Sequence, residues 1–277
     1  MNSYSFAATC AMGEPMPNLL LCPADLEAYL RDLPVAAAVL PRLQALLLRD
    51  DTYLDEVVEL VRFDPALATR VIHAASTAFY GRSREVRSLE DALVRLGMRE
   101  TYRITAAFAL GKFLNTPLRI YGISATDYWR RSIACALVME DQAPARWLDE
   151  CVAYTVGLLH ALGMVFIDRH LRAVGDHGML LRELPASPLP RQETRLTGMT
   201  HAQITGFVLR KWDFGAEIVE PIEYQFDPGR APAHGEMATL LADARVTARD
   251  VVAELATAPA EPSPVARKIQ ALENWMH

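Results

Sequence analysis

The apolar residues of this chain recur almost everywhere with the period of an α-helix. Between Val35 and Arg49, for example, the apolar side chains at 39, 43, 46 and 47 fall on one helical face. No run of alternating β-branched residues accompanies these segments, and glycine supplies only 14 of 277 residues. The hydrophobic fraction, 51%, is enough to build a sizeable core. The sequence therefore predicts an all-α fold.

Breaks in the helical pattern divide the chain. Pro15 and Pro17 interrupt its beginning, and Pro117 and Gly122 interrupt its middle, where no helical period continues. We therefore predict four segments: a loose N-terminal tail at 1–22, an N-terminal helical lobe at 23–116, a second helical lobe at 124–257, and a Pro-containing linker with a C-terminal helix at 258–277.

Several helix starts carry a capping signal, in which a short polar side chain accepts from the first free backbone N–H groups. The predicted caps are Asp64 before Pro65, Ser88 with Asp91, and Ser124 with Asp127. Gly97 is expected to end the helix that Ser88 begins, because glycine suits the left-handed position after a helix. One long apolar helix is predicted at 145–168.

Charge and cysteine usage exclude several classes of protein. Lys and Arg total 28 against 34 Asp and Glu, so the net charge of −6 disfavours a general nucleic-acid binder. No run approaches 18 uninterrupted apolar residues, and the first 30 residues hold no Lys or Arg, so neither a membrane span nor an export signal is expected. The four cysteines form no CxxC pair. We expect a cytoplasmic protein without a structural metal or cofactor.

Three polar residues inside apolar helical segments are the candidates for chemistry. They are His160, His201 and Asp243, and each needs a hydrogen-bond partner if it is buried. No metalloprotease, phosphate-loop or dinucleotide-binding motif occurs in the chain. From spacing alone, three separately satisfied core groups are the simplest interpretation.

A series of short motifs in order along the chain resembles the HDOD domain, an output domain related to HD-type metal-dependent phosphohydrolases. Among them are Asp64-Pro65-Ala66-Leu67, Gly157-Leu158-Leu159-His160 and His201-Ala202-Gln203-Ile204, with others at 75–81, 88–92, 129–132 and 241–243. The resemblance covers about residues 33–249. It implies an HD-like helical core preceded by a helical lobe, and a role in bacterial signal transduction.

The resemblance also implies where metal ligands would lie, and this chain has changed most of those positions. It keeps His160, His201 and Asp243. Other residues replace the remaining expected ligands: Arg131, Ala161, Gln225 and Phe226. A guanidinium cannot deprotonate to become a ligand, and at about 4 Å it would repel a divalent ion by roughly 8 kcal/mol at an effective dielectric near 20. We therefore predict a vestigial, metal-free pocket of Arg131, His160, His201 and Asp243, in which Arg131 pairs with Asp243.

A basic loop with neighbouring aromatic side chains is a candidate surface for an acidic partner or a phosphate, although a solvated loop is the simpler explanation. It contains Phe79, Tyr80, Arg82 and Arg84. The resulting hypothesis is a non-catalytic regulatory protein that binds signalling proteins such as a kinase or a receiver domain, and neither nucleic acid nor membrane. Two alternatives stay open: a weak metal-dependent phosphohydrolase using His160, His201 and Asp243, and a module that senses a nucleotide such as a cyclic dinucleotide.

Overall fold

The computed structural model describes residues 19–31, 39–47, 49, 52–62, 64–77, 86–174, 189–257 and 261–276. Within these ranges the regular elements are helices, apart from an isolated antiparallel bridge between Leu118 and Ile123. The all-α prediction is confirmed.

The first part of the chain forms five helices around a common apolar centre. They are α1 (Pro23–Leu30), α2 (Val39–Leu47), α3 (Leu54–Arg62), α4 (Pro65–Ala75) and α5 (Leu89–Ala109). Gly97 kinks α5 with a φ of 73°, a left-handed conformation that glycine adopts without steric cost. The predicted helix end at Gly97 is therefore a kink, after which the chain continues as helix to Ala109.

The remainder of the chain forms a second group of helices. They are α6 (Gly111–Leu114), α7 (Ala125–Gln142), α8 (Glu150–Leu159), α9 (Gly163–Ala173), α10 (Leu189–Thr197), α11 (His201–Lys211), α12 (Ala216–Glu223), α13 (Gly235–Thr257) and α14 (Pro264–Met276). Helix α7 packs against α8 and α13, and α11 packs against α9 and α12. These contacts place α7, α9, α11 and α13 around the site described below.

The single long helix predicted at 145–168 is wrong, because the chain turns at 160–162 between α8 and α9. The backbone N–H of Gly163 donates to the hydroxyl of Thr205 on α11, at 2.8 Å, instead of continuing the helix. Glu150–Ala173 as a whole is apolar and long enough to cross a membrane, but 83% of its most apolar window is buried within the protein. The burial explains the apolar composition of this segment as that of core helices.

The predicted capping residues act as expected. Asp64 accepts from the backbone N–H groups of Ala66 and Leu67 at 2.9 and 3.2 Å. Ser88 and Ser124 each accept from the N–H three residues later. These local signals fix the starts of α4, α5 and α7.

Replacing Asp64 with Ala is expected to lower the free energy of unfolding by about 1 kcal/mol, because two N–H groups at the start of α4 lose their acceptor. Urea denaturation would measure the loss. Asp64→Ser, which keeps an acceptor oxygen at the cap, should unfold within a few tenths of a kcal/mol of the original protein. Equal losses in both variants would show that an acceptor oxygen at the cap contributes nothing to the free energy of unfolding.

One apolar core runs through both groups of helices. Buried side chains form a continuous cluster from Leu26 of α1 to Leu272 of α14, across the predicted boundary near 116–124. At the crossing of α7 and α8 the backbones touch, since a Cβ on Gly157 would lie 2.6 Å from the Cα of Ala136. The two predicted lobes therefore share their interior.

The beginning of the described chain differs from the predicted loose tail. Leu19 and Leu21 are buried, and the N–H of Leu21 donates to the carbonyl of Thr197 at 3.0 Å. Two leucines at alternate positions of an extended segment can both cover apolar surface, which the prediction overlooked. Residues 1–18 of the predicted tail lie outside the described residues. The C-terminal helix forms as α14, and its Glu273 binds Arg130 of α7 at 2.6 Å.

Candidate functional site

A pocket of about 570 Å³ lies between α7, the α8–α9 turn, α10, α11 and α13. We call it the arginine pocket, because three arginines line it together with both histidines of the predicted site. These residues are Arg131, His160, His201, Arg245 and Arg249. The other lining residues used below are Ile123, Tyr128, Ala161, Met164 and Leu189.

His160 lies in the turn after α8, where its imidazole is held by the backbone. Its Nδ1 is 2.7 Å from the carbonyl of Gly157, so Nδ1 carries the proton that this bond needs. Burial, together with the positive charge of Arg245, lowers the pKa of His160 to about 3. The ring is therefore neutral at physiological pH and retains one basic nitrogen, Nε2.

His201 begins α11 and is anchored by a carboxylate that the sequence analysis missed. Glu193 of α10 is fully buried, and both its oxygens lie within 2.9 Å of His201 Nδ1. Glu193 also accepts from the backbone N–H of His201 and from the hydroxyl of Tyr121. The rings of Phe226 and His201 pack edge to face, with their centres 5.2 Å apart. No local motif marks Glu193, whose role depends on how α10 packs against α11.

The three arginines give the pocket its charge. Arg131 comes from α7, and Arg245 and Arg249 lie one turn apart on α13. The guanidinium carbon of Arg245 lies 4.7 Å from the centre of the Phe226 ring, on which it stacks. Burial, together with the charge of Arg249, lowers the pKa of Arg245 from its usual value. Within the described parts of the chain, no salt bridge joins any of the three to a carboxylate. Among the described residues that line the pocket, three are thus arginines and none carries a carboxylate.

The predicted pair of Arg131 and Asp243 is wrong. Asp243 accepts from Arg146 at 2.7 Å, and its side chain is 56% exposed and does not line the pocket. Residues two apart on an α-helix point roughly 200° away from each other. Arg245 faces the pocket, so Asp243 faces away from it.

The residues of the pocket do not fit the divalent metal of HD-type phosphohydrolases. Ala161 supplies no ligand atom, and the amide nitrogen of Gln225 donates to the carbonyls of His160 and Ile222. Phe226 packs on His201 and Arg245. Among the described residues, no three His, Cys, Asp or Glu side chains come together as metal ligands. Two imidazoles that share a pocket with three guanidinium groups and no carboxylate ligand would bind a cation poorly.

The predicted partner surface of Phe79, Tyr80, Arg82 and Arg84 lies outside the described residues. It stays a prediction.

Comparison with known proteins connects this geometry to a family. The family model for the HDOD domain matches residues 33–228. An uncharacterized protein of Treponema pallidum (strain Nichols) is 22% identical over 214 residues, which are 76% of this chain and 40% of the relative. The chain thus spans less than half the length of that curated relative.

Solved structures share the fold. A protein of Shewanella amazonensis SB2B, provisionally described as a phosphohydrolase, is 24% identical with a TM-score of 0.66 over 91% of this chain and 97% of its own. A provisionally described signal transduction protein of Marinobacter aquaeolei VT8 is 24% identical with a TM-score of 0.65, over 92% and 60% of the two chains. An HDOD domain protein with unknown function from Geobacter sulfurreducens is 23% identical, with a TM-score of 0.65 over 81% and 76%.

Proposed function

The chain belongs to the HDOD family, and from that premise we propose that it is a non-catalytic signal-transduction protein that regulates a partner protein by binding it. One observation carries the proposal. At the positions where the resemblance to HD-type phosphohydrolases places metal ligands, this chain has Arg131, Ala161, Gln225 and Phe226, and the first two of these line the pocket. Without a metal, no group in the pocket would activate the attacking water and stabilise the charge on the phosphate, as the phosphohydrolase reaction requires.

The partner that we propose is another signalling protein of a bacterial cytoplasm, such as a kinase or a receiver domain. The solved structure from Marinobacter aquaeolei, described provisionally as a signal transduction protein, supports this direction. The shared core also supports it, because helices that pack on one continuous interior can hold a docking surface rigidly. The pocket itself would then serve regulation of the protein, while the partner carries the output.

A phosphate-release assay tests the non-catalytic part of the proposal. The purified protein is incubated with mononucleotides, cyclic dinucleotides and a generic phosphomonoester, each with added Mg²⁺, Mn²⁺ or Fe²⁺. We expect no release above the protein-free blank, and no difference between the original protein and His160→Ala. Turnover that His160→Ala abolishes, with an unchanged melting temperature of the variant, would refute the proposal.

A pull-down from the native host with the full chain as bait tests the binding part. We expect a kinase or a protein with a receiver domain to be enriched, and the purified pair to associate again in solution. Failure of the enriched signalling proteins to bind the purified chain would contradict the proposed mode of action.

A further inference from the structure

We propose that the arginine pocket binds a small phosphate-bearing molecule of the nucleotide class and leaves it intact. This inference deepens the proposed function and rests on it, because an intact ligand requires that the pocket has no phosphohydrolase activity. It assigns to the pocket a ligand that could signal to the partner-binding surface.

The lining of the pocket is positively charged. Arg131, Arg245 and Arg249 line it, and none of them is neutralised by a salt bridge within the described residues. Arg131 and Arg249 are exposed, whereas Arg245 is half-buried and lies within reach of the charge of Arg249. A cation that is partly out of water near a like charge is unfavourable unless an anion joins it. A phosphate group supplies that charge, and its oxygens match the paired N–H donors of a guanidinium.

Neighbouring side chains leave this positive charge in place. Arg245 is fixed by stacking on Phe226, whose ring is also fixed against His201. The carboxylate of Glu193, which could otherwise neutralise an arginine, is committed to His201 and Tyr121. The guanidinium of Arg245 is thus held in place by an aromatic ring and keeps its donors available.

The rest of the pocket has the size and the apolar lining of a site for an organic ligand. Its volume of about 570 Å³ is within the range of sites for organic ligands, roughly 300–1,000 Å³. Ile123, Met164 and Leu189 provide apolar surface and Tyr128 an aromatic ring. A free phosphate would leave these apolar side chains without a contact. A sugar phosphate would place polar hydroxyl groups against them, which is unfavourable. A nucleotide presents phosphate oxygens to the arginines and the flat face of a base to the apolar side.

The test is isothermal titration calorimetry of the full chain at low ionic strength with three probes, ADP, GDP and cyclic diguanylate, and with adenosine and guanosine as uncharged controls. We expect at least one phosphate-bearing probe to bind at least tenfold more tightly than its nucleoside. Added salt should weaken the binding of that probe, because it screens the attraction between the arginines and the phosphate.

Two variants test whether the probe binds in the arginine pocket. Arg131→Ala and Arg249→Ala should each weaken the probe about tenfold to a hundredfold, the effect expected for loss of a charged hydrogen bond. Arg267→Ala on α14 makes the same change of charge at an exposed position away from the pocket and should bind as the original protein does. Thermal unfolding of all variants checks that they are folded.

The outcomes separate this inference from the proposed function. Probes that bind no better than their nucleosides, or binding that Arg131→Ala and Arg249→Ala leave unchanged, overturn the ligand assignment while the non-catalytic function stands. After each titration the probe is recovered and examined by chromatography. Recovery of the intact probe supports both proposals, whereas hydrolysis of a bound probe, to a mononucleotide with free phosphate or to a linear dinucleotide, overturns both.

Discussion

Arg103→Met is expected to lower the free energy of unfolding by about 3–5 kcal/mol, the loss found when one partner of a buried ion pair is removed. Arg103 lies on α5, in the first group of helices, and its Nε donates at 2.6 Å to Glu140 of α7, in the second. The two side chains are only 14% and 4% exposed. The variant would leave the Glu140 carboxylate buried without its cation.

The surroundings of Arg103 strengthen this expectation. Burial alone would lower its pKa, but the charges of Glu140 and Glu100 raise it above the usual value. Glu100 also forms a salt bridge with Arg103, so loss of the cation would leave two carboxylates facing each other. The hydroxyl of Tyr154 on α8 donates to the backbone carbonyl of Arg103, so that α8 is also bonded to α5 at this point.

Urea denaturation of three variants would measure the effect. Arg62→Met removes an exposed arginine that binds Glu59 and Glu90, and should cost at most about 1 kcal/mol. Combining Arg103→Met with Glu140→Leu should recover most of the loss, because the unpaired charge is then gone. If Arg103→Met is no more harmful than Arg62→Met, the buried pair does not stabilise the junction of the two groups of helices.

Gly163→Ala is the second change for which a large loss is expected, about 3 kcal/mol or more, at the upper end of the effect of overpacking. A Cβ at this position would lie 2.1 Å from the carbonyl oxygen of His201 and 2.9 Å from its Cα. Both are backbone atoms, so no side-chain rotation relieves the contact. Helix α9 must move away from α11, and the bond from the Gly163 N–H to Thr205 must lengthen.

Gly111→Ala is the matched control, since an added Cβ there meets nothing within 4 Å and the residue is already helical. It should unfold at the same urea concentration as the original protein or at a slightly higher one. Gly163→Ala should also lose the binding of any nucleotide that the arginine pocket holds, because His201 is displaced. A Gly163→Ala protein as stable as Gly111→Ala would contradict the close approach of α9 and α11.

The sequence predicts the fold well where the signals are local. The helical period is a property of each segment, and caps such as Asp64 and Ser88 depend only on residues two or three positions away. The break at 160–162 depends on α11, which comes 40 residues later, so a continuous apolar run concealed it. Packing between distant segments also explains why Leu19 and Leu21 are buried in a stretch without helical period.

The site could be predicted only in part. Motif resemblance pointed to His160, His201 and Arg131, which do line one pocket. It also pointed to Asp243, which does not line the pocket. The face of α13 that is turned toward the pocket carries Arg245 and Arg249, and Asp243 lies on another face, where it binds Arg146. The four-residue spacing of these two arginines, with the buried Ala248 between them, was the signal that could have shown them on a common face.

Metal content measures most directly whether the HD-like pocket has lost the metal site of the phosphohydrolases. The protein is purified without chelators from cells supplied with manganese and iron, and its metal is determined by mass spectrometry alongside His160→Ala. Because three arginines line the same pocket as the two histidines, we expect far less than one equivalent of transition metal, equal in both proteins. A full equivalent of manganese, iron or zinc that is lost in His160→Ala would contradict this interpretation.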